Sequence, residues 1–118
     1  DFDFPQNSFD IVVAATVLDH LEDPLRNNTI EGIQTSVKPG GIAYVNVFTI
    51  DDPGCSCQAA ASDTAEAMAY YFQHQELADL FVDWTIHHYQ ESIELDDSHG
   101  RPHDHAWACL IAKKPSPA

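Results

Sequence analysis

Two continuous apolar runs dominate the first half of the chain. Residues 11–18 read IVVAATVL and residues 42–50 read IAYVNVFTI, both rich in β-branched or aromatic side chains with little polar alternation. Strands that are buried on both faces have this pattern, which is typical of central strands in parallel sheets. We therefore predict two buried strands that lie side by side in one sheet.

The polar segment between the two runs predicts an amphipathic helix. Ile30, Ile33 and Val37 recur at helical spacing, and the Pro-Gly-Gly sequence at residues 39–41 is expected to end the helix and turn the chain. Three polar residues upstream are possible N-caps: Asp23, Asn28 and Thr29. A strand–helix–strand order with a crossover of this length predicts a parallel strand pair joined by a right-handed connection.

The second half of the chain begins with a polar loop and two helical segments. Residues 51–62 are small and polar, and residues 63–68 have the spacing of a capping box, which predicts one or two helical turns. The segment HQELADLF predicts an amphipathic helix with Leu77, Leu80 and Phe81 facing the core.

Two strands close the chain. Residues 84–95 and 105–114 have strand composition, and the short loop between them predicts an antiparallel pair. Residues 114–118 form a polar tail. The whole chain therefore predicts one α/β domain over residues 1–118, with no linker that would divide it.

Charge and cysteine content narrow the classes of partner and compartment. Nineteen acidic residues against five basic ones give a net charge of −14, which repels nucleic acid and anionic membranes. The simplest explanation of this acidity is solubility or a salt-adapted source. Three cysteines without a disulfide or zinc spacing suit a reduced chain, so we expect a cytoplasmic protein: Cys55, Cys57 and Cys109.

Several stretches together resemble the class I S-adenosylmethionine-dependent methyltransferases. NSFDIVVAATVLDHL is similar to the fourth strand and following loop of that family, and SVKPGG is similar to the turn before its fifth strand. HQELADLFVDWTIHHYQES and HGRPHDHAWACLIAKKP most resemble the closing helix and antiparallel strands of the tellurite-resistance (TehB-like) branch. The resemblance implies an α/β fold, namely strands four to seven of a Rossmann-like methyltransferase sheet.

The resemblance also implies a cofactor, an acceptor and site residues. The cofactor would be S-adenosylmethionine, and the acidic surface favours a small molecule as the methyl acceptor. Asp19 and His20 would face the reacting methyl group. Four residues would line the methionine end of the cofactor: Ala14, Ala15, Thr16 and Leu18. Close strand packing is the alternative for the two alanines, and a surface position is the alternative for His20.

The family's cofactor-anchoring features match nothing in this sequence. Its glycine-rich turn after strand one and its acidic residue at the end of strand two are absent, so we expect a truncated domain that is inactive alone. Without the first half, strand four would be an apolar edge that begins at Ile11 and ends at Leu18. Exposed edges pair with other chains, which predicts a homodimer or a higher oligomer.

A histidine-rich loop supplies the second candidate site. By resemblance to the tellurite branch, Arg101, His103 and His105 would bind an oxyanion substrate, and the guanidinium fork of arginine suits that role. The same loop, with His99 and nearby aspartates, has the ligand types of a divalent transition-metal site. A solvated loop is the third possibility.

Three functions thus remain open from the sequence. The chain is a portion of a methyltransferase, a truncated oligomeric binding module without catalysis, or a module that binds oxyanion or metal through residues 99–105. Methyl transfer depends on positioning more than on a strong base, so the lack of an obvious catalytic dyad does not count against the first.

Overall fold

The computed structural model describes residues 4–52, 69–96 and 103–116. The element order over these residues confirms the predicted alternation of strands and helices. In chain order the elements are β1 (Phe9–Ala15), a 3-10 turn (Leu18–His20), α1 (Leu25–Ser36), β2 (Val37–Phe48), α2 (Glu76–Leu80), β3 (Thr85–Asp96) and β4 (His103–Lys113). The helical turns predicted at residues 63–68 lie outside the described residues.

The four strands form one mixed sheet in the order β1-β2-β4-β3. β1 and β2 are parallel, with Ala14 opposite Val45, and α1 makes the crossover between them. β4 runs antiparallel to both of its neighbours, with Leu110 opposite Val45 on β2 and opposite Tyr89 on β3. The predicted parallel pair and the predicted antiparallel pair are both confirmed, as is the α/β fold class.

The Pro-Gly-Gly sequence turns the chain inside β2 rather than at the end of the helix. α1 ends at Ser36, and Val37 already pairs with Phe9 of β1. The next pair in the ladder is Ile11 with Ile42, so the intervening residues of β2 bulge out of the parallel register. Gly40 has a φ of 83°, a conformation in which a side chain would be strained.

β1 is shorter and more exposed than its sequence predicts. It ends at Ala15, because Thr16 adopts a left-handed φ of 53° and Leu18 begins the 3-10 turn. Burial on both faces was expected, but Ile11 and Val13 are 63% and 62% exposed. β1 is an edge strand, and only its other face packs on the core.

The core lies where α1 and α2 cover one face of the sheet. Buried apolar side chains come from β2 and β4 at the centre of the sheet and from both helices. Leu77 and Phe81 face this core as predicted, whereas Leu80 is 37% exposed, because α2 has only five residues and packs one narrow face inward. Among the described residues, no helix is long and apolar enough to span a membrane.

Gly41 lies where the chain has no room for a side chain. A Cβ at this position would come within 2.7 Å of Val37 Cγ1, 2.8 Å of the Asp10 carbonyl oxygen and 2.9 Å of the Lys38 carbonyl oxygen. Two of these three neighbours are backbone atoms, which cannot move aside without disturbing the β1–β2 pairing.

We expect Gly41→Ala to destabilise the chain by about 1–3 kcal/mol, the usual cost of overpacking. Gly32→Ala is the control, because alanine in the middle of α1 improves helix propensity and should be neutral or stabilising. Urea denaturation of both variants measures the difference. Equal stability of the Gly41→Ala variant and the parent chain would contradict the crowding described at this turn.

Candidate functional site

The carboxyl ends of β1 and β2 meet at one edge of the sheet, where open α/β sheets bind ligands. The loop after β1 contains the 3-10 turn, and the chain after β2 continues through Thr49 to Asp52. β4 begins at the same edge, because Trp107 pairs with Phe48, the last residue of β2. Side chains from three elements therefore converge there.

Asp19 ties this edge together and is fully buried. Its Oδ2 accepts a hydrogen bond of 2.7 Å from the Phe48 backbone N–H. Its carbonyl oxygen accepts hydrogen bonds from the N–H groups of Ala69 and Tyr70, at 2.7 and 3.2 Å. One residue thus joins the loop after β1, the end of β2 and the segment that precedes α2.

The other carboxylate oxygen of Asp19 is a buried acceptor that no described residue satisfies. Oδ1 has no hydrogen bond to any described residue. Burial raises the pKa of Asp19, although the hydrogen bond from the Phe48 N–H acts in the opposite direction. A buried polar atom that lacks a hydrogen bond costs about 1–3 kcal/mol of stability. Interactions elsewhere in the fold therefore offset the cost of burying Oδ1.

Thr16 is the second unusual residue of the loop after β1. Its left-handed φ of 53° is rare for a β-branched side chain. The conformation is held by the Thr16 N–H, which donates to both oxygens of Asn46, the side-chain Oδ1 at 2.9 Å and the carbonyl at 3.1 Å. Thr16 was predicted to line the cofactor, and the geometry adds backbone strain at that position.

Of the other four residues predicted near the end of β1, two are buried and two are exposed. Ala14 faces the core, and Leu18 is fully buried in it. Ala15 and His20 are exposed. The structure brings all of them to one edge of the sheet together with Asp19, and their roles toward a cofactor or acceptor stay predictions.

Asp52 and His105 form a buried pair at the same edge. His105 Nδ1 lies 2.8 Å from Asp52 Oδ2, and the Ala106 N–H donates to the same oxygen at 3.0 Å. The His105 ring stacks on Phe48, with ring centroids 4.7 Å apart. A carboxylate against Nδ1 favours the tautomer with its proton on that nitrogen.

The His105 side chain is therefore buried at this edge of the sheet and is not part of a solvated loop. Asp52 was not singled out from the sequence, although an acidic residue directly after a buried strand is a signal for a group at the carboxyl edge. The sequence separates Asp52 from His105 by fifty-two residues, so only the sheet pairing brings them together.

Most of the histidine-rich loop cannot be compared with its prediction. His99 and Arg101 lie outside the described residues, and for His103 only the backbone, in β4, is described. Within residues 4–52, 69–96 and 103–116, no three histidine, cysteine or acidic residues are grouped as metal ligands. The oxyanion role of Arg101, His103 and His105 stays a prediction.

Comparison with known proteins points to one family. A model of the methyltransferase domain matches residues 1–45, the part that contains β1, the 3-10 turn and α1. Hemagglutinin 1 of Eikenella corrodens is 27% identical over 110 residues, which are 91% of this chain and 34% of that protein. The chain thus spans about a third of the length of this curated relative.

Solved structures share the arrangement of strands and helices. TehB from Haemophilus influenzae superposes with a TM-score of 0.71 at 19% identity, over 93% of this chain and 37% of that one. An S-adenosylmethionine-dependent methyltransferase from Methanosarcina mazei superposes with a TM-score of 0.70 at 20% identity, over 97% of this chain and 63% of that one. The predicted resemblance is confirmed: the chain has the fold of part of a class I S-adenosylmethionine-dependent methyltransferase domain, of the kind seen in TehB.

Proposed function

We propose that the chain serves S-adenosylmethionine-dependent methyl transfer to a small molecule, with the loop after β1 at the reacting methyl group. The methyltransferase-domain match and the shared fold support methyl transfer in general terms. The acidic charge of −14 supports a small acceptor over nucleic acid. S-adenosylmethionine as the cofactor rests on the same family likeness.

The observation that carries the proposal is the buried Asp19 Oδ1, to which no described residue bonds. It lies in the loop after β1, next to the strained Thr16, at the edge where open α/β sheets bind ligands. Buried acceptors without partners and left-handed β-branched residues both cost stability. Two such costs in four residues are expected at a site selected for ligand contact rather than for folding.

The chemistry asks little of these side chains beyond position. S-adenosylmethionine would supply an electrophilic methyl group, which an acceptor lone pair would take while the electron pair of the carbon–sulfur bond returns to the sulfonium sulfur. Holding the two reactants in line supplies most of the acceleration. Asp19 would orient the acceptor through Oδ1, and the exposed His20 would take a proton from it where the acceptor has one to lose.

This activity is proposed for the complete site, of which the described residues supply one wall. The chain spans 37% of TehB and 63% of the Methanosarcina mazei enzyme, so those proteins have further residues with which to hold a cofactor. For the 118-residue chain by itself, we expect weak cofactor binding and no turnover.

Titration of the chain with S-adenosylmethionine, followed by NMR, tests the proposal. We expect saturable shifts of backbone amides in residues 14–20, with a dissociation constant on the order of 1 mM, because the loop offers only part of a cofactor site. The amides of β3, on the far side of the sheet, are the internal control. A folded chain whose loop amides do not move at saturating cofactor would refute the placement of the cofactor at this loop.

The Asp19→Asn variant tests whether the buried Asp19 carboxylate stabilises the fold or is kept at a cost in stability. Because the folded pKa of Asp19 is raised, the native carboxyl loses stability as pH rises from its ordinary value through the folded value. Asparagine retains an acceptor for the Phe48 N–H without a buried charge. We expect the variant to be about 1 kcal/mol more stable than the parent at neutral pH, with the gain vanishing in acid.

Urea denaturation across the pH range measures this difference. The exposed Asp83→Asn is the matched control and should change stability little at any pH. If Asp19→Asn is less stable than the parent at neutral pH, the Asp19 carboxylate is there for folding and the functional argument fails.

We also propose that the β1 edge joins two copies of the isolated chain. A groove of about 420 Å³ runs beside this edge between β1 and α1, and its lining is largely apolar. Ile11 and Val13 stand exposed on the edge strand, and Phe4 is 60% exposed beside Phe9. An open apolar edge of this kind pairs with another strand, and in a solution of the pure chain the available strand is a second β1.

Sedimentation of the purified chain checks this pairing, with a dimer as the expected result. Val13→Lys should give a monomer, because a charge on the exposed face of β1 opposes strand addition. Val82→Lys is the control, since Val82 is 71% exposed and lies outside the set of residues that line the groove, so this change should leave the dimer intact. A monomeric parent chain would exclude the pairing.

A further inference from the structure

One segment, residues 69–75, lies against the candidate site and ends in a turn at His74 and Gln75; it is called the covering segment below. At its start, the N–H groups of Ala69 and Tyr70 donate to the Asp19 carbonyl oxygen. In its middle, Phe72 pairs with the end of β2: its N–H donates to Phe48 at 2.9 Å, and its carbonyl accepts from Ile50 at 3.0 Å. Asp19 is fully buried with the segment in this position.

His74, near the other end of the covering segment, lies between two carboxylates. Its Nδ1 contacts Glu91 Oε1, and its Nε2 lies 3.2 Å from Asp51 Oδ2. A neutral imidazole has one N–H donor and one lone pair, so it would turn a lone pair toward one of the two acceptors. Only the imidazolium, with both nitrogens protonated, donates to both carboxylates.

The two carboxylates belong to different parts of the sheet. Asp51 follows β2 at the carboxyl edge, and Glu91 lies in β3, on the far side of β4. Glu91 is itself held by the Tyr89 hydroxyl at 2.6 Å and by the Gln75 N–H at 2.8 Å, both through Oε2. His74 therefore links the covering segment to β3 and to the turn after β2, two parts of the chain that make no direct strand pairing with each other.

No other charged group of the described residues competes for His74. Its charge interactions are with Asp51, after β2, and Glu91, on β3. Glu76, the acidic residue of α2 nearest in sequence, bonds instead to the Tyr70 hydroxyl and to the Gln73 N–H, each at 2.8 Å.

We propose that His74 is a proton-operated latch: its imidazolium holds the covering segment over Asp19, and loss of one proton loosens the segment and opens the site beneath it. The latch stands on the His74 contacts alone. Its consequence for ligand access rests on the proposed function, because only then is Asp19 a ligand-contacting residue. A site opened by proton loss would admit its ligand more readily at higher pH.

The pH window follows from the two partners. The hydrogen bond to Glu91, followed by the charge of Asp51, raises the pKa of His74 above its ordinary value of 6.5. Partial burial acts against ionisation of Glu91, but hydrogen bonds from Tyr89 and His74 outweigh it and lower the pKa of that carboxyl. Glu91 thus stays charged throughout, so the latch is complete below the ordinary histidine pKa and is lost as pH rises through the folded pKa of His74.

Amide hydrogen exchange of the full chain measures the latch directly. The Ala69 and Tyr70 amides donate to Asp19, so their protection, corrected for intrinsic exchange, reports whether the covering segment is closed. Between about pH 5.5 and about pH 8, we expect this protection to fall by about threefold, the effect of losing half-exposed ion pairs. The fall should follow the titration of the His74 ring seen in the same samples.

Two variants make the test specific. His74→Gln should lower the protection at acid pH to the level of the parent at high pH and abolish its pH dependence. His88→Gln is the control, because His88 is an exposed histidine of β3 outside these contacts and should leave the transition unchanged. Protection that is constant across the His74 titration, or a His74→Gln variant that behaves like the parent, would overturn the latch.

S-adenosylmethionine titration at both pH values separates the latch from the proposed function. Tighter binding at the higher pH, abolished in His74→Gln, is the result expected if the latch guards the site. If exchange shows the latch but cofactor affinity is the same at both pH values, the latch is structural and the link to ligand access is wrong. Absence of cofactor binding at either pH counts against the proposed function and leaves the exchange result standing.

Discussion

The hydrogen bond between the Phe48 N–H and Asp19 Oδ2 joins the loop after β1 to the end of β2 at the carboxyl edge of the sheet. Phe48 is the last residue of β2. At the end of a strand, the final backbone N–H groups often find no partner within the sheet and bond instead to a loop, a ligand or water. Here a buried side chain from the neighbouring loop takes that amide. The carbonyl oxygen of Asp19 also accepts hydrogen bonds from the covering segment. Asp19 therefore fixes the loop after β1 through its carboxylate and through its backbone carbonyl.

Several polar side chains are buried at this edge, whereas the middle of the sheet is apolar. Asp19, Asp52 and His105 are each at least nine-tenths buried, and they lie at or beyond the ends of β1, β2 and the start of β4. The helix-covered centre of the sheet is filled instead by valine, leucine, alanine and phenylalanine. Burying charge is tolerated where backbone N–H groups point at it, and strand ends offer N–H groups that the sheet itself leaves unpaired.

Sequence patterns predicted the type of each helix and strand correctly where that type depends on the residues of the element itself. Most of the runs at residues 11–18 and 42–50 form strands, since β-branched and aromatic side chains fit a pleated, buried surface. Their ends were less well predicted. Thr16 leaves the β1 strand early because Asn46 of the adjacent strand captures its N–H, and Val37 joins β2 rather than α1 because Phe9 pairs with it.

The sequence by itself determined the order of the elements, the parallel and antiparallel pairings and the family likeness, because these follow from local periodicity, connection length and contiguous motifs. Only the tertiary structure decided that Asp52 meets His105, that Asp19 Oδ1 is buried away from every described hydrogen-bond donor, and that His74 lies between Asp51 and Glu91. Each of these contacts joins residues from different elements. Burial and hydrogen-bond geometry at such contacts depend on how the elements pack, which no local pattern records.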